Sequence, residues 1–390
     1  MTFRQPAAKQ TSINCETISM NDVDCLVLGL GAMGSATLYH LARLQQNVVG
    51  LEQFETGHGF GSSHGHSRAF RVFYHDPLYT ELAEAALPLW QELQTVSGES
   101  LLHLCGFLGY GGPDCTLFEQ NLRAIRRSRA EFEQLTPEDV SSQFPDLQLP
   151  KQSMACFTPR AGFLDASRCV RTHLAEARRL GAAVHQQVHV ENVEFTGDRP
   201  GIVRTSAGDF RADRLVVTAG PWTADVLSEL RLPLTVTRQQ KFYFRANSPQ
   251  SPGPTGLPVY ADYDTRFYGF PMHGPGIKVA DDTRGDTTHP DRIDRTFERA
   301  THESLNNWLK ALMPKYSFQF HEASTCMYTE TPDQDFLIGP HPQHPNILVG
   351  GGFSGHGFKF STLIGLILAQ LVVEGSTPWP IARFALNRFG

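Results

Sequence analysis

Apolar runs and helical stretches alternate near the start of the chain and predict a strand–helix–strand unit. The run Cys25–Leu28 predicts a buried strand, the stretch that follows to Leu44 predicts a helix, and Val48–Leu51 predicts a second strand. Strands that alternate with helices are typical of a parallel sheet covered by helices. This first unit therefore indicates an α/β protein.

Similar segments recur along the rest of the chain. A helix is predicted over 167–180, and a short strand and turn follow it at 182–184 and 188–191. Residues 210–220 predict a pair of strands ending in Thr-Ala-Gly, and 347–350 predict a last strand that leads into a glycine-rich loop and a helix. We therefore expect one parallel sheet whose strands come from the whole chain, with two insertions between them.

The two insertions, roughly residues 103–166 and 236–333, differ from the rest in pattern. They are rich in Pro, Gly, Tyr and Phe, and they contain alternating stretches such as 241–244 and 266–270. Alternation with a period of two favours an antiparallel sheet. We expect this sheet to form the floor or the roof of a pocket.

Composition and charge narrow the class of protein. The chain has 390 residues, of which 41% are hydrophobic and 19% charged, and its formal net charge is −6. This acidic balance argues against nucleic acid or an anionic membrane as the main partner. The longest apolar run, Leu363–Val373, is too short to span a bilayer and predicts a buried helix.

Cysteine usage and the N-terminal residues bear on the compartment. The seven cysteines are an odd number without CxxC or Cys/His spacing, so neither a disulfide framework nor a metal site is predicted. Residues 1–19 lack the apolar core of a signal peptide and predict a polar tail. We therefore expect a cytoplasmic protein.

The loop after the first strand carries glycines at the positions that dinucleotide binding requires. Gly29 permits a tight turn, Gly31 lets the backbone approach a pyrophosphate, and Gly34 lets the helix pack closely on the strand. Glu52 closes the second strand, where a carboxylate accepts hydrogen bonds from a ribose. The alternative is a glycine-rich turn in an unrelated α/β protein, and the motif alone does not choose between NAD and FAD.

Two segments near the C-terminus offer further chemistry. Cys326 stands alone within Ser-Thr-Cys-Met-Tyr-Thr, and the glycine-rich run that begins at Gly350 ends in Lys359 at a helix start. The free N–H groups of a helix start favour negative charge, so this loop suits the electron-rich edge of a reduced flavin. The alternative for Cys326 is a small buried apolar residue, as most cysteines are.

Three motifs together resemble the monomeric sarcosine oxidase and N-methyltryptophan oxidase family. They are Gly-Ser-Ser-His-Gly-His-Ser-Arg-Ala-Phe-Arg at 61–71, Cys-Met-Tyr-Thr at 326–329 and Gly-Phe-Ser-Gly-His-Gly-Phe-Lys-Phe-Ser at 352–361. The order of elements is similar from about residue 22 to the C-terminus. The resemblance implies oxidation of secondary amines, usually N-methyl or cyclic amino acids, with FAD as cofactor and O2 as electron acceptor.

The resemblance also implies how the flavin is held. Cys326 matches the cysteine that bonds the 8α-methyl carbon of the ring through sulfur, a reaction that needs a positioned thiolate. The residues expected to contact the cofactor are Gly29, Gly31, Ala32, Met33, Gly34, Glu52, Gln53, Ser62, Ser63, His64, Arg68, Val190, Ala219, Gly220, Trp222, Cys326, Gly355, His356, Gly357, Phe358 and Lys359.

Four of the matching side chains are implied to serve catalysis. Arg68 is expected against the flavin ring, with His64 near its edge, and their spacing to Arg71 would place them on one face of a helical or turn segment. Lys278 is expected beside the ring, where a cation stabilises the charge that O2 acquires. Tyr268 is the fourth. A solvent-facing lysine and a structural histidine are the alternatives for Lys278 and His64.

The resemblance implies that Arg71 and Lys359 bind the substrate carboxylate, with Tyr268 lining the pocket. A bound anion would explain why two cations lie close together. The alternative is that both side chains lie on exposed helix surfaces. Where sarcosine-oxidising members carry a histidine, four residues after the matching lysine, this chain has Asp282. Its carboxylate holds a substrate ammonium, holds a basic side chain, or points away, and the departure argues against sarcosine as the true substrate.

The predicted fold class is α/β, with an FAD-binding Rossmann-like domain of the glutathione-reductase type and an antiparallel-sheet substrate domain, both discontinuous in sequence. The expected segments are a tail at 1–19, an FAD-binding domain at 20–102, 167–235 and 334–390, and a substrate-binding domain at 103–166 and 236–333.

The expected protein is a monomeric oxidase of a small amino acid that reduces O2 to H2O2. A flavin-dependent dehydrogenase or demethylase that passes its electrons to another acceptor is the nearer alternative. A non-catalytic FAD-binding subunit is more distant, because a scaffold would not need Arg71, Lys278 and Lys359. An NAD-dependent dehydrogenase would leave Cys326 and the loop before Lys359 without a role.

Overall fold

The computed structural model describes residues 21–196, 199–247 and 253–389, so the tail predicted at 1–19 lies outside the described residues. The strands are β1 (Asn21–Leu28), β2 (Val48–Leu51), β3 (Arg68–Phe70), β4 (Leu102–His103), β5 (Phe107–Gly111), β6 (Glu133–Leu135), β7 (Met154–Thr158), β8 (Gly162–Leu164), β9 (Ala183–His185), β10 (Val190–Thr196), β11 (Arg199–Thr205), β12 (Gly208–Val217), β13 (Thr235–Asn247), β14 (Val259–Asp262), β15 (Phe267–His273), β16 (Gly276–Asp281), β17 (Ser317–Glu330), β18 (Leu337–Pro340) and β19 (Ile347–Gly351). The helices are α1 (Ala32–Arg43), α2 (Pro77–Ser97), α3 (Thr116–Ile125), α4 (Pro137–Gln143), α5 (Ala166–Arg179), α6 (Thr223–Val226), α7 (Arg299–Leu312) and α8 (Ser361–Glu374).

The first sheet has eight strands within the described ranges and a parallel centre. Its parallel strands lie in the order β9, β2, β1, β12 and β19. Strands β2 and β19 are buried at every position, as expected where both faces of a parallel sheet are covered. The antiparallel strands β10 and β11 extend this centre from β12, and β18 pairs antiparallel with β19.

The second sheet, also of eight strands, is ordered β17, β13, β16, β15, β14, β5, β7 and β6. All its pairings are antiparallel except that between β14 and β5. The longest pairing joins β13 to β17, from Thr235 opposite Glu330 to Asn247 opposite Ser317. A small third sheet of β3, β8 and β4 places Arg68 opposite Leu164.

Helices α1, α5 and α8 pack together beside the first sheet. A Cβ atom at Gly365 would lie 2.6 Å from the backbone carbon of Ala36, so only a glycine allows α8 to approach α1 this closely. The buried helix predicted over Leu363–Val373 is therefore confirmed as part of α8.

The α/β prediction is confirmed, but two details of it are wrong. Residues 210–220 do not form a pair of strands, because β12 runs unbroken to Val217 and takes β11, which precedes it, as its hairpin partner. The first sheet is mixed rather than parallel throughout, because β10, β11 and β18 complete its edges antiparallel. The division into domain segments stays a prediction. Among the described residues, no helix has the length and apolar character that crossing a bilayer requires.

Candidate active site

The carboxyl ends of the parallel strands meet at one edge of the first sheet. Strand β1 ends before Gly29, β2 before Glu52 and β12 before Thr218. Strand β9 leads to Val188, and β19 leads into the loop 352–357. Ligands of open α/β sheets bind in the crevice at this edge, where connections leave the central strand in opposite directions. The segments predicted to hold a nucleotide therefore converge because the topology brings their strand ends together.

The glycine loop after β1 leaves no room for side chains. Gly29 has a φ of +84°, and a Cβ there would lie 2.7 Å from the carbonyl oxygen of Thr218. A Cβ at Gly34 would lie 1.9 Å from the carbonyl oxygen of Gly29. The start of α1 is thus pressed against the loop, and Ala32 and Met33 of its first turn line the crevice.

Two polar side chains fix this loop from outside. The carboxylate of Glu52 is buried and accepts hydrogen bonds from the N–H groups of Leu30 (2.8 Å) and Phe54 (3.1 Å). Ser63 Oγ accepts a hydrogen bond from the N–H of Ala32 at 2.9 Å. Glu52 therefore already holds the glycine loop in place, beyond its predicted role toward a ribose.

A cleft of about 710 Å³ lies over this edge of the sheet. Two buried polar atoms from residues that line it, Ser62 Oγ and His64 Nε2, have no hydrogen-bond partner within the described residues. The predicted cofactor residues that line the cleft are Gly29, Gly31, Ala32, Met33, Glu52, Gln53, Ser62, Ser63, His64, Arg68, Val190, Ala219, Gly220, Trp222, Gly355, Gly357 and Phe358. Gly34 does not line it, because it is packed inside the loop, and Cys326, His356 and Lys359 line a neighbouring cavity instead.

This neighbouring cavity has a volume of about 340 Å³. It shares part of its wall with the cleft, through Arg68, Tyr328, Ser354, Gly355 and Phe358. The predicted catalytic and substrate-binding residues that line it are Arg68, Arg71, Tyr268, Lys278, Asp282 and Lys359. His64 lines only the larger cleft.

Two cations of this cavity meet at Tyr74, which the sequence analysis missed. The Arg71 guanidinium lies 3.9 Å from the centre of the Tyr74 ring and donates to the carbonyl oxygen of Phe73. Lys359 Nζ donates to Tyr74 Oη at 2.7 Å and to the carbonyl oxygen of His356 at 2.6 Å. Burial and the nearby Arg71 lower the pKa of Lys359 well below its usual value. Neither cation has a carboxylate ion pair among the described residues, so an entering anion would offset their repulsion.

Arg68 organises the loop that precedes it. Its guanidinium donates to the carbonyl oxygens of Ser62 and His64, both at 2.8 Å, and of Ser67 at 2.9 Å. The prediction that Arg68 and His64 share a helical or turn face is wrong, because Arg68 opens strand β3 and His64 lies in the loop before it. Burial, together with the cations Lys241 and Arg68, lowers the pKa of His64 to about 2, so its imidazole is neutral.

Lys278 is buried rather than facing solvent. Its Nζ donates to the carbonyl oxygen of Ser67 at 2.8 Å and lies 3.9 Å from the centre of the Phe270 ring. Burial, followed by repulsion from Arg68 and Lys241, lowers its pKa well below the usual value of a lysine. Tyr268 lies on the same wall, with its ring centre 6.0 Å from Lys278 Nζ.

Cys326 lies in β17 and is buried, with 4% of its surface exposed. Lys241, on the neighbouring strand β13, lines the same cavity and is also buried. From the sequence alone, Lys241 was expected only to be part of an alternating strand. The signal that would have found it is a lysine inside the aromatic run Lys-Phe-Tyr-Phe, where a strand of a buried sheet leaves no exposed face.

Asp282 pairs with a basic side chain, one of the three alternatives for it. Its Oδ2 lies 3.0 Å from Arg266 Nη2, and the two side chains are 44% and 41% exposed. It therefore stands at the open side of the cavity. No group of three or more His, Cys, Asp or Glu side chains in the described ranges is arranged to hold a metal ion.

The fold and the two adjoining cavities define an FAD-binding oxidoreductase, and the chain belongs to the DAO family of FAD dependent oxidoreductases, whose family model matches residues 24–371. The cleft suits this cofactor. Its glycine loop and helix start are suited to bind phosphates, and residues 355, 357 and 358 also line it. Ser62 Oγ and His64 Nε2, which have no partner among the described residues, would be available to the cofactor.

Among individual proteins, the chain is 34% identical to the monomeric sarcosine oxidase of Streptomyces avermitilis over 94% of this chain and 97% of that protein. It is 28% identical to the N-methyl-L-tryptophan oxidase of Yersinia pestis, over 94% of this chain and all of the relative. The crystal structure of NikD, an unusual amino acid oxidase essential for nikkomycin biosynthesis, superposes with a TM-score of 0.83 at 26% identity and covers 94% of this chain and 98% of NikD. The resemblance inferred from the three sequence motifs is confirmed.

Proposed function

We propose that this protein is an FAD-dependent oxidase of N-methyl or other secondary amino acids, including cyclic ones. The reaction removes two electrons and two protons from the C–H bond next to the nitrogen and from the N–H bond of the substrate. It leaves an imine, which water hydrolyses to an aldehyde and an amine. O2 takes up the two electrons and the two protons and becomes H2O2. The observation that carries the proposal is the pair of cations, the half-buried Arg71 and the buried Lys359, in a cavity that shares its wall with the cofactor cleft.

The two cations bind the substrate carboxylate in complementary ways. Arg71 offers a planar fork that grips both carboxylate oxygens, and Lys359 adds a point charge. Tyr74 fixes both, because it lies under the guanidinium and hydrogen-bonds the ammonium group. A carboxylate held here directs the amine of the same molecule toward the shared wall.

FAD, when bound, supplies the two-electron acceptor of the reaction. The neutral His64 offers Nε2 to the cleft without adding charge. Arg68 keeps the loop 62–67 in shape through its three carbonyl contacts. Lys278 places a buried amine beside Tyr268, where its protonated form favours the transfer of charge to O2.

The proposal includes a thioether between Cys326 and the flavin, and a monomeric, cytoplasmic protein. The buried position of the Cys326 thiol on the cavity wall supports the thioether. The similarity to the Streptomyces relative, a monomeric sarcosine oxidase, supports the oligomeric state. The absence of CxxC spacing supports a reducing compartment.

The test combines a spectrum with an assay. Purified protein is precipitated with acid, and the visible spectra of pellet and supernatant are compared for the wild type and for Cys326→Ala. The wild type is then assayed for H2O2 with sarcosine, bulkier N-methyl amino acids and cyclic amino acids. Flavin in the pellet and H2O2 with at least one of these amines support the proposal. Reduction of a dye by the same amines without H2O2 would favour a dehydrogenase, and no amine-dependent electron transfer would overturn the proposal.

A further inference from the structure

Lys241 carries a buried amine that finds no hydrogen-bond partner among the described residues. Its side chain is 3% exposed, and Nζ has no hydrogen-bond partner within the described residues. Leaving a charged amine dry and unpaired is costly, so such a group is retained only where it has a task or a missing partner. The side chain lines the smaller cavity, on the wall that also carries Cys326.

The register of two strands brings Lys241 close to Cys326. On the antiparallel pair β13 and β17, Gln239 lies opposite Cys326, and Lys241 lies opposite Ser324. Residues two apart on a strand share one face, so Lys241 is the diagonal neighbour of Cys326 on that face. Diagonal neighbours are about 7–8 Å apart, which a lysine side chain spans.

The two other buried lysines are less suited to act on this thiol. Lys359 Nζ already donates to Tyr74 Oη and to the carbonyl oxygen of His356. Lys278 lies opposite Tyr243 on β13, which is two residues farther from Gln239 than Lys241 is. Its Nζ is also held by the carbonyl oxygen of Ser67. Within the described residues, Lys241 is therefore the buried lysine whose Nζ has no hydrogen-bond partner and whose strand position is diagonal to Cys326.

The charges around the pair leave Lys241 able to exchange a proton. Burial lowers the pKa of Lys241 to about 8, with the nearby Cys326 raising it and Arg68 lowering it. A lysine with a pKa near 8 is in part neutral close to neutral pH, so its amine can accept a proton. The titratable and charged groups that face the pair are His64, Arg68, Tyr243, Tyr268, Lys278 and Tyr328.

We propose that Lys241 accepts the proton of the Cys326 thiol when the flavin is attached, an inference that rests on the thioether of the proposed function. The sulfur then forms a bond to the 8α carbon of the flavin. The S–H bond and one C–H bond of the ring methyl break, and the two protons and two electrons reduce O2 to H2O2. Lys241 returns its proton to solvent or to this product, so the step is balanced.

The test measures the rate at which flavin becomes covalently attached to the protein. Full-length wild type, Lys241→Met and Lys241→Gln are produced under riboflavin limitation and mixed with FAD, and acid-precipitable flavin is measured over time between about pH 6 and pH 10. Lys310→Met is the matched control, because Lys310 is an exposed lysine on α7. Cys326→Ala gives the background. Non-covalent binding is followed in parallel through the quenching of flavin fluorescence.

Removal of a general base slows a reaction by about 100-fold or more, so both Lys241 variants are expected to bind FAD yet attach it about 100-fold more slowly near pH 7. The difference from wild type should shrink toward pH 10, where hydroxide can remove the proton in place of Lys241. The control should match the wild type.

An unchanged rate in both variants overturns the proposal, as does slowing by the same factor at every pH, which a merely structural role would produce. Loss of FAD binding in both variants also overturns it. If the wild type attaches no more flavin than Cys326→Ala, the thioether and this inference are overturned together. The amine-dependent formation of H2O2 would still test the oxidase function separately.

Discussion

The two cavities of the site are lined by different chemical groups. The larger cleft is formed by backbone at the ends of parallel strands, where glycines leave space and N–H groups supply the charge. The smaller cavity is formed by long side chains, chiefly Arg71, Lys278 and Lys359, that converge from β16 and from segments flanking β3 and α8. We therefore expect cofactor binding to depend on the path of the backbone and substrate choice to depend on a few charged side chains. Substitutions in the larger cleft should therefore impair cofactor binding, whereas substitutions in the smaller cavity should impair substrate binding.

Removing a cation from the smaller cavity should have the largest effect on activity. We expect Arg71→Met and Lys359→Met to lower kcat/KM by about 100- to 1,000-fold, because truncating one buried charge of a binding pair costs about 2–5 kcal/mol. The loss should appear mainly in KM, with the flavin spectrum retained. Arg266→Met, whose side chain is half exposed, is the control. An unchanged KM in both cavity variants would show that the carboxylate binds elsewhere.

Adding one methyl group to the glycine loop should break the other cavity. In Gly34→Ala the new Cβ would lie 1.9 Å from the carbonyl oxygen of Gly29, so α1 must shift. We expect the free energy of unfolding to fall by about 1–3 kcal/mol, and FAD to bind weakly or not at all. Gly59→Ala is the control, because its Cβ would meet no atom closer than 4.0 Å. Normal flavin content in Gly34→Ala, measured by absorbance, would contradict this prediction.

The charge of Lys359 should make carboxylate binding depend on pH. Since burial and Arg71 lower its pKa, Lys359 loses its proton at a lower pH than an ordinary lysine. We expect the Kd of a non-oxidisable carboxylate such as benzoate to rise with pH, by up to about tenfold per unit above that pKa. Titration of the flavin spectrum with benzoate measures this. In Lys359→Met the dependence should flatten, and a wild-type Kd that falls with rising pH would contradict the assignment.

The smallest effect is expected at the mouth of the smaller cavity. Asp282 is already paired with Arg266, and both side chains are substantially exposed. Such pairs contribute about 0–1 kcal/mol, so Asp282→Asn should change kcat/KM by no more than about fivefold. The ratio of kcat/KM for sarcosine to that for a bulkier N-methyl amino acid is the measurement. A larger change in this ratio would mean that the carboxylate contacts the substrate.

The contrast between the cavities also explains what the sequence could predict. The strand before Gly29, the helix after it and the strand before Glu52 are close together in sequence, so local spacing predicts their geometry. The buried helix α8 follows in the same way from one apolar run. The family resemblance then supplied Arg68, Arg71, Lys278, Cys326 and Lys359 of the smaller cavity as expectations.

The relations that the sequence did not predict are set by pairings between distant segments. Lys241 faces Cys326 only because β13 and β17 pair in one register, and Tyr74 joins Arg71 to Lys359 only once α8 is in place. Arg68 was misplaced on a helical or turn segment because its strand partner, β8, lies far along the chain. Asp282 found its partner in Arg266 across a hairpin, which no spacing rule specifies.

The order of strands in the first sheet has a consequence for biosynthesis. Strand β1 emerges from the ribosome first, but its sheet is completed only when β19 follows, almost at the end of the chain. At a synthesis rate of about 5–20 residues per second, roughly 15 to 65 s pass between the synthesis of β1 and that of β19, the last parallel strand of this sheet. The nascent chain therefore holds apolar strands that lack one neighbour during most of translation, and the cleft is complete only once β19 has been made.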